Sequence, residues 1–131
     1  MSRTLLIAAT AVAALFAGTP GVRAAASDYR FEMAGQPVNS GKAMVVHIRL
    51  IHAPDQKAVA DAIIIQTRLD MGPDGMAEMA APAKAVPSTD PGVYAIEVRP
   101  SMEGRWALTL AAKVQGEPET VRGTVTLTVP K

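Results

Sequence analysis

Two stretches near the C-terminal end of the chain alternate apolar and polar residues with a period of two, and this pattern constrains the fold most strongly. Trp106, Leu108, Leu110, Ala112 and Val114 alternate with Ala107, Thr109, Ala111 and Lys113. Val121, Gly123, Val125, Leu127 and Val129 alternate with Arg122, Thr124, Thr126 and Thr128. Successive side chains of an extended strand point to opposite faces, so each stretch offers one face to a core and one to water. Gln115-Gly116-Glu117-Pro118 lies between them and has a tight-turn composition. The pair reads as a hairpin.

The same period recurs upstream. Met44, Val46, Ile48 and Leu50 alternate with Val45, His47, Arg49 and Ile51. Residues 61–69 read as a strand with Ile63, Ile65, Thr67 and Leu69 on one face. Tyr94, Ile96 and Val98 alternate with Ala95, Glu97 and Arg99. Two shorter strands complete the set, over 28–33 and over 83–86. The second lies between Pro82 and Pro87 and is expected at a sheet edge, because proline cannot donate to a ladder. About seven strands punctuated by turns predict an all-β, immunoglobulin-like antiparallel sandwich. No long stripe of helical period is present, and residues 53–62 and 77–81 read as single helical turns. With no internal repeat or linker, residues 27–131 form one domain.

Ahead of that domain, Arg3 precedes an uncharged apolar run from Leu5 to Ala17, then Gly18, Pro20-Gly21 and the small residues Ala24, Ala25 and Ala26. This is the layout of a secretory signal peptide over residues 1–26, cleaved after Ala26 or Ala24. A retained anchor is the alternative, but the run is short of the roughly 20 residues that a membrane helix needs. The reading makes the domain periplasmic, with no membrane span in the mature chain. Removing residues 1–26 takes away Arg3 and Arg23, leaving 11 basic and 12 acidic residues. That balance argues against nucleic-acid binding through phosphates. The chain has no cysteine, which excludes disulfides, thiolate metal sites and cysteine nucleophiles.

Methionine is the unusual component, at seven residues including Met1. Met71, Met76 and Met79 fall in the single segment 70–82, with Asp70, Asp74 and Glu78 and no base. Gly72-Pro73 and Asp74-Gly75 are turn dipeptides, so the segment is expected to be a surface loop. Thioether sulfur is a neutral, polarisable donor suited to Cu(I). On the helical turn expected over 77–81, Met76 and Met79 share a side, and Met71 folds back across the turn. The acids would attract a cation or ligate a harder one. Two other readings stand beside this. The methionines cap an open end of the sandwich, or they form an adaptable patch that docks a partner.

His47 and His52 are five apart and lie on opposite faces of one strand. His47 is expected at the surface, whereas His52 at the strand end is a candidate to join the methionines. Met102 is read as a corner residue packed on Trp106, or as a further sulfur near the loop. Trp106 is expected in the core, with Arg105 facing away. Enzyme readings find no support: no serine lies in a Gly-x-Ser-x-Gly elbow, and no Gly-rich phosphate loop opens a helix.

Several of these pieces together resemble the YtkA-like/FixH-like family. They are Asp61-Ala62, then the run from Asp70 to Met79, then Pro91-Gly92-Val93-Tyr94, then Met102-Glu103-Gly104-Arg105-Trp106-Ala107-Leu108 and a closing Thr-rich strand. The resemblance covers most of residues 42–129. It implies an immunoglobulin-like sandwich in the periplasm and a place in metal handling or copper-protein assembly. It also implies Met71, Met76 and Met79 as metal-facing sulfurs, with Met102 as a further candidate. FixH-type members carry a longer apolar anchor, which this chain lacks. The expected function is a non-enzymatic Cu(I)-binding domain serving a periplasmic or inner-membrane copper-handling protein. The alternative is a metal-free module that docks a membrane complex.

Overall fold

The two clearest alternations pair as an antiparallel hairpin, with Val121 opposite Ala112 and Val129 opposite Gly104. The computed structural model describes residues 28–131, so the expected signal peptide lies outside the described residues. Ten strands follow in chain order: β1 (Tyr29–Met33), β2 (Val38–Ser40), β3 (Ala43–His52), β4 (Lys57–Ala58), β5 (Ile63–Met71), β6 (Met76–Ala81), β7 (Ala83–Val86), β8 (Val93–Val98), β9 (Gly104–Lys113) and β10 (Val121–Val129). The seven expected strands are all present, and β2, β4 and β6 are additional. One sheet has the order β1-β3-β8-β7, with β2 and β4 also paired to β3, and the other has the order β10-β9-β5-β6. The result is the expected all-β, antiparallel, immunoglobulin-like sandwich.

The core lies between the sheets. Val46, Ile48, Leu50, Ile96 and Val98 enter from the first, and Leu69, Trp106, Leu108, Leu110 and Leu127 from the second. Trp106 is fully buried, and its Nε1–H donates to the Met102 carbonyl at 3.1 Å. A buried indole without a partner would lose a hydrogen bond that water supplies in the unfolded chain. Among the described residues no polar or charged residue is buried, so apolar packing holds this interior together.

Three expectations are corrected. The β5 face changes midway, because its register against β9 shifts between Ile64 and Gln66. A bulge of this kind inserts one residue and reverses the sides of those that follow. Thr67, Leu69 and Met71 therefore lean inward, while Ile63 and Ile65 are 66% and 50% exposed. Residues 77–81 belong to strand β6 and not to a helical turn. Residues 53–56 form a turn that leads into β4, and Gln56 there has a φ of 57°.

The chain crosses between sheets at Pro82. Thr67 Oγ1 donates to the Ala83 carbonyl at 2.7 Å, and the Arg99 N–H donates to the Pro82 carbonyl at 3.0 Å. On the opposite side, β10 closes on β1 because Gly123 has no side chain. A Cβ there would lie 2.6 Å from Phe31 Cδ2. Gly123→Ala should therefore destabilise the protein by about 1–3 kcal/mol, the usual range for overpacking. Urea unfolding checks this, with a double-mutant cycle against Phe31→Ala expected to be non-additive.

Candidate functional site

The segment expected to be a surface loop is a β-hairpin. β5 continues through Met71, a 3₁₀ turn occupies Gly72–Asp74, and β6 begins at Met76. The local chemistry accounts for this shape. Asp70 Oδ1 accepts the Gly72 N–H at 2.8 Å, Pro73 supplies a preset φ, and Gly75 takes a φ of 77° to reverse the chain. The Gly75 N–H then donates to the Gly72 carbonyl at 2.9 Å.

The hairpin is clamped to the start of β9. Asp74 Oδ2 accepts the Arg105 N–H at 2.8 Å, and Asp74 Oδ1 accepts Arg105 Nε–H at 2.9 Å. Arg105 Nη2 also donates to the Pro73 carbonyl at 2.8 Å. These contacts pass over Gly104, whose φ is 131°. A Cβ on Gly104 would lie 2.7 Å from both Asp74 Oδ2 and Met71 Cε. The Arg105 N–H and guanidinium hold the Asp74 carboxyl below the usual carboxylate range.

The sulfurs are distributed differently from the sequence expectation. Met71 is 1% exposed and belongs to the core cluster with Trp106, as the capping alternative required of it. Met76 is half-buried and packs against that cluster. Met79 is 37% exposed and lies in the stretch of β6 between Met76 and Ala80 that has no partner on β5, where the register shifts. Met79 is absent from the group that does assemble. Met71, Met76 and Met102 line one open concavity of about 490 Å³ at the end of the sandwich, together with Asp74, Glu103 and Lys131. They arrive from the end of β5, the start of β6 and the β8–β9 loop. Met102 is 43% exposed.

The acids expected to attract a cation are engaged locally or lie apart. Asp70 pairs with Arg68 Nε at 3.0 Å, Asp74 with Arg105, and Glu78 is exposed on β6. His52 does not join the methionines. Its Nδ1–H donates to Asp55 Oδ1 at 2.9 Å, and its ring lies 5.0 Å from that of Tyr29. Tyr29 donates to Glu117 Oε1 at 2.9 Å, and burial followed by that carboxylate pushes the phenol up to about 12. Glu117 lies beyond the Val121–Ala112 end of the β9–β10 ladder, whereas the concavity lies beyond its Val129–Gly104 end. His52 and the sulfurs therefore occupy opposite ends of the molecule. His47 lies half-buried on the outward side of β3. Among the described residues no three His, Cys, Asp or Glu side chains are placed to hold a metal.

Tyr94 also has a structural place. Its hydroxyl donates to the Val59 carbonyl at 2.6 Å and accepts the Ala62 N–H at 3.0 Å. Gly92, with a φ of 80°, completes the turn ahead of it.

A family model described as YtkA-like matches residues 23–111. The chain belongs to the YtkA-like family. The match includes the hairpin, the Tyr94 turn and the start of β9, and it ends within β9, ahead of β10. Comparison with curated proteins and with solved structures gives no match. In this YtkA-like domain the side chains of Asp74, Tyr94, Arg105 and Trp106 all bond to backbone around the sandwich, and Gly104 leaves room for the hairpin.

The depressed Asp74 carboxyl sets a pH dependence. Its contribution to stability is complete above the ordinary carboxylate range, near pH 4, and is lost as pH falls through the lowered value. Asp74→Asn is expected to lower the urea midpoint at neutral pH, and the gap to the wild type should close at about pH 2. A gap of equal size at both pH values would contradict the assignment.

Proposed function

We propose that this YtkA-like domain is exported and non-enzymatic, and that it takes up Cu(I) reversibly at the sandwich end through Met76 and Met102, with Met71 as the sulfur behind them. In this reading it exchanges the ion with a periplasmic or inner-membrane copper-handling protein. One observation carries the proposal: three methionines from three separate segments line a single open concavity. Capping the core accounts for Met71, but it leaves a Met102 that is 43% exposed beside the same opening without a role.

The donor set suits a soft ion. Thioethers are neutral and need no deprotonation, unlike thiolates. Both Asp74 oxygens already accept hydrogen bonds from Arg105, so the methionine sulfurs are the soft donors of the concavity, with Glu103 beside them as a hard one. A few neutral sulfurs as the soft donors favour exchange over storage. Export rests on the charged start, apolar run and small residues of positions 1–26.

A metal-free docking module has an observation of its own, the exposed Ile63 and Ile65 on β5. Apolar side chains of this size at a surface mark contact sites when they are contiguous. The two readings separate cleanly. Met76→Leu with Met102→Leu is expected to weaken Cu(I) binding at least tenfold in competition with a Cu(I) chelator, while Met79→Leu leaves it unchanged. Unchanged affinity in the double variant would remove the metal reading.

A further inference from the structure

The methionines differ sharply in access to solvent. Met102 is 43% exposed and Met79 is 37% exposed, Met76 is half-buried, and Met71 is 1% exposed. Among these four, Met102 alone combines high exposure with a place in the methionine-lined concavity. We propose that Met102 is an oxidation-sensitive gate on the soft-metal site, closed by conversion of its thioether to the sulfoxide. The inference rests on the metal reading above and adds its regulation.

The chemistry is a two-electron oxidation by a hydroperoxide. The Met102 sulfur attacks the terminal peroxide oxygen, the O–O bond breaks, and a sulfur–oxygen bond forms. With hydrogen peroxide the other oxygen leaves as water after taking up a proton. The product is a polar sulfoxide that has lost its soft thioether character, and a thiol-dependent reductase of the methionine sulfoxide reductase class restores it, oxidising two thiols to a disulfide and releasing the oxygen as water. A sulfoxide no longer offers the polarisable donor that Cu(I) prefers.

Two features let this happen without loss of the fold. Met102 holds the core through its backbone carbonyl, which accepts the Trp106 Nε1–H at 3.1 Å, and not through its sulfur. Met71, whose oxidation would place a polar group in the core, is shielded beneath the hairpin and Gly104. Met79 provides an internal comparison, since it is similarly exposed but lies outside the concavity.

The test uses Ag(I), a soft ion that does not generate radicals from peroxide, with site-resolved mass spectrometry of each methionine. In the apo protein, Met102 and Met79 are expected to oxidise first and Met71 last. Saturating Ag(I) should slow oxidation of Met102 several-fold and leave Met79 unaffected. Limited oxidation of a Met79→Leu variant to Met102 sulfoxide should reduce Ag(I) affinity at least tenfold with no change in the thermal midpoint, and a sulfoxide reductase should restore it. Oxidation of Met71 as fast as Met102, or undiminished Ag(I) affinity in the Met102 sulfoxide, would overturn the gate while leaving the metal reading intact. Failure of the reduced protein to bind Ag(I) would remove both.

Discussion

The end of the sandwich depends on the carboxylate of Asp74. By accepting both the backbone N–H and the guanidinium of Arg105, it fastens the β5–β6 hairpin to the first residues of β9. Its fit requires Gly104 beneath it, where any side chain would collide with Asp74 and with the Met71 methyl. A backbone at a φ of 131° suits glycine and strains other residues by about 1–3 kcal/mol. With this clamp in place, Met71 is pressed into the core, Met76 lies at its margin, and Met102 faces them from the next loop. An exposed ion pair of this kind adds little stability on its own. Its importance here is positional, since it fixes which sulfurs share a space.

The segment Gly104-Arg105-Trp106 follows from the same logic. Gly104, Arg105 and Trp106 act as one unit: the glycine admits the hairpin, the arginine binds it, and the tryptophan fills the centre beneath it. At the other end, Tyr94 holds the loop from Val59 to Ala62 through two hydrogen bonds. Both motifs are scaffold devices. The methionines of the concavity are side chains placed on that scaffold, and the separation of a scaffold from the side chains it presents is common to folds that host many functions.

Much of the architecture was legible because it is periodic. The alternations in β3, β8, β9 and β10 run unbroken, and each apolar face is the one that packs. Failures arose where tertiary pairing overrides the local pattern. The bulge at Ile64–Gln66 is set by the register against β9, and nothing in Ile63-Ile64-Ile65 marks it. Met-Ala-Glu-Met-Ala-Ala has the composition of a helix, yet pairing of its ends with Leu69, Asp70 and Met71 draws it into a strand. The register shift between Asp70 and Met71 leaves Met79 in the unpaired middle of that strand, whereas Met76 is paired to Met71. The signal for Met71 was available: continuing the Thr67, Leu69 alternation by two residues leads into the core. The signal for Met102 was weaker, because the end-to-end proximity of two loops is a property of topology and not of spacing.

The central claim is that Met71, Met76 and Met102 form one soft-ion site from which Met79 is excluded. Methyl-resolved NMR of ¹³C-methyl-methionine protein titrated with Ag(I) tests it most directly. The account predicts that the Met71, Met76 and Met102 methyl resonances shift together with one stoichiometric endpoint, while Met79, Met33 and Met44 stay in place. Joint movement of Met76 and Met79 with Met102 unmoved, or no movement at all, would contradict it.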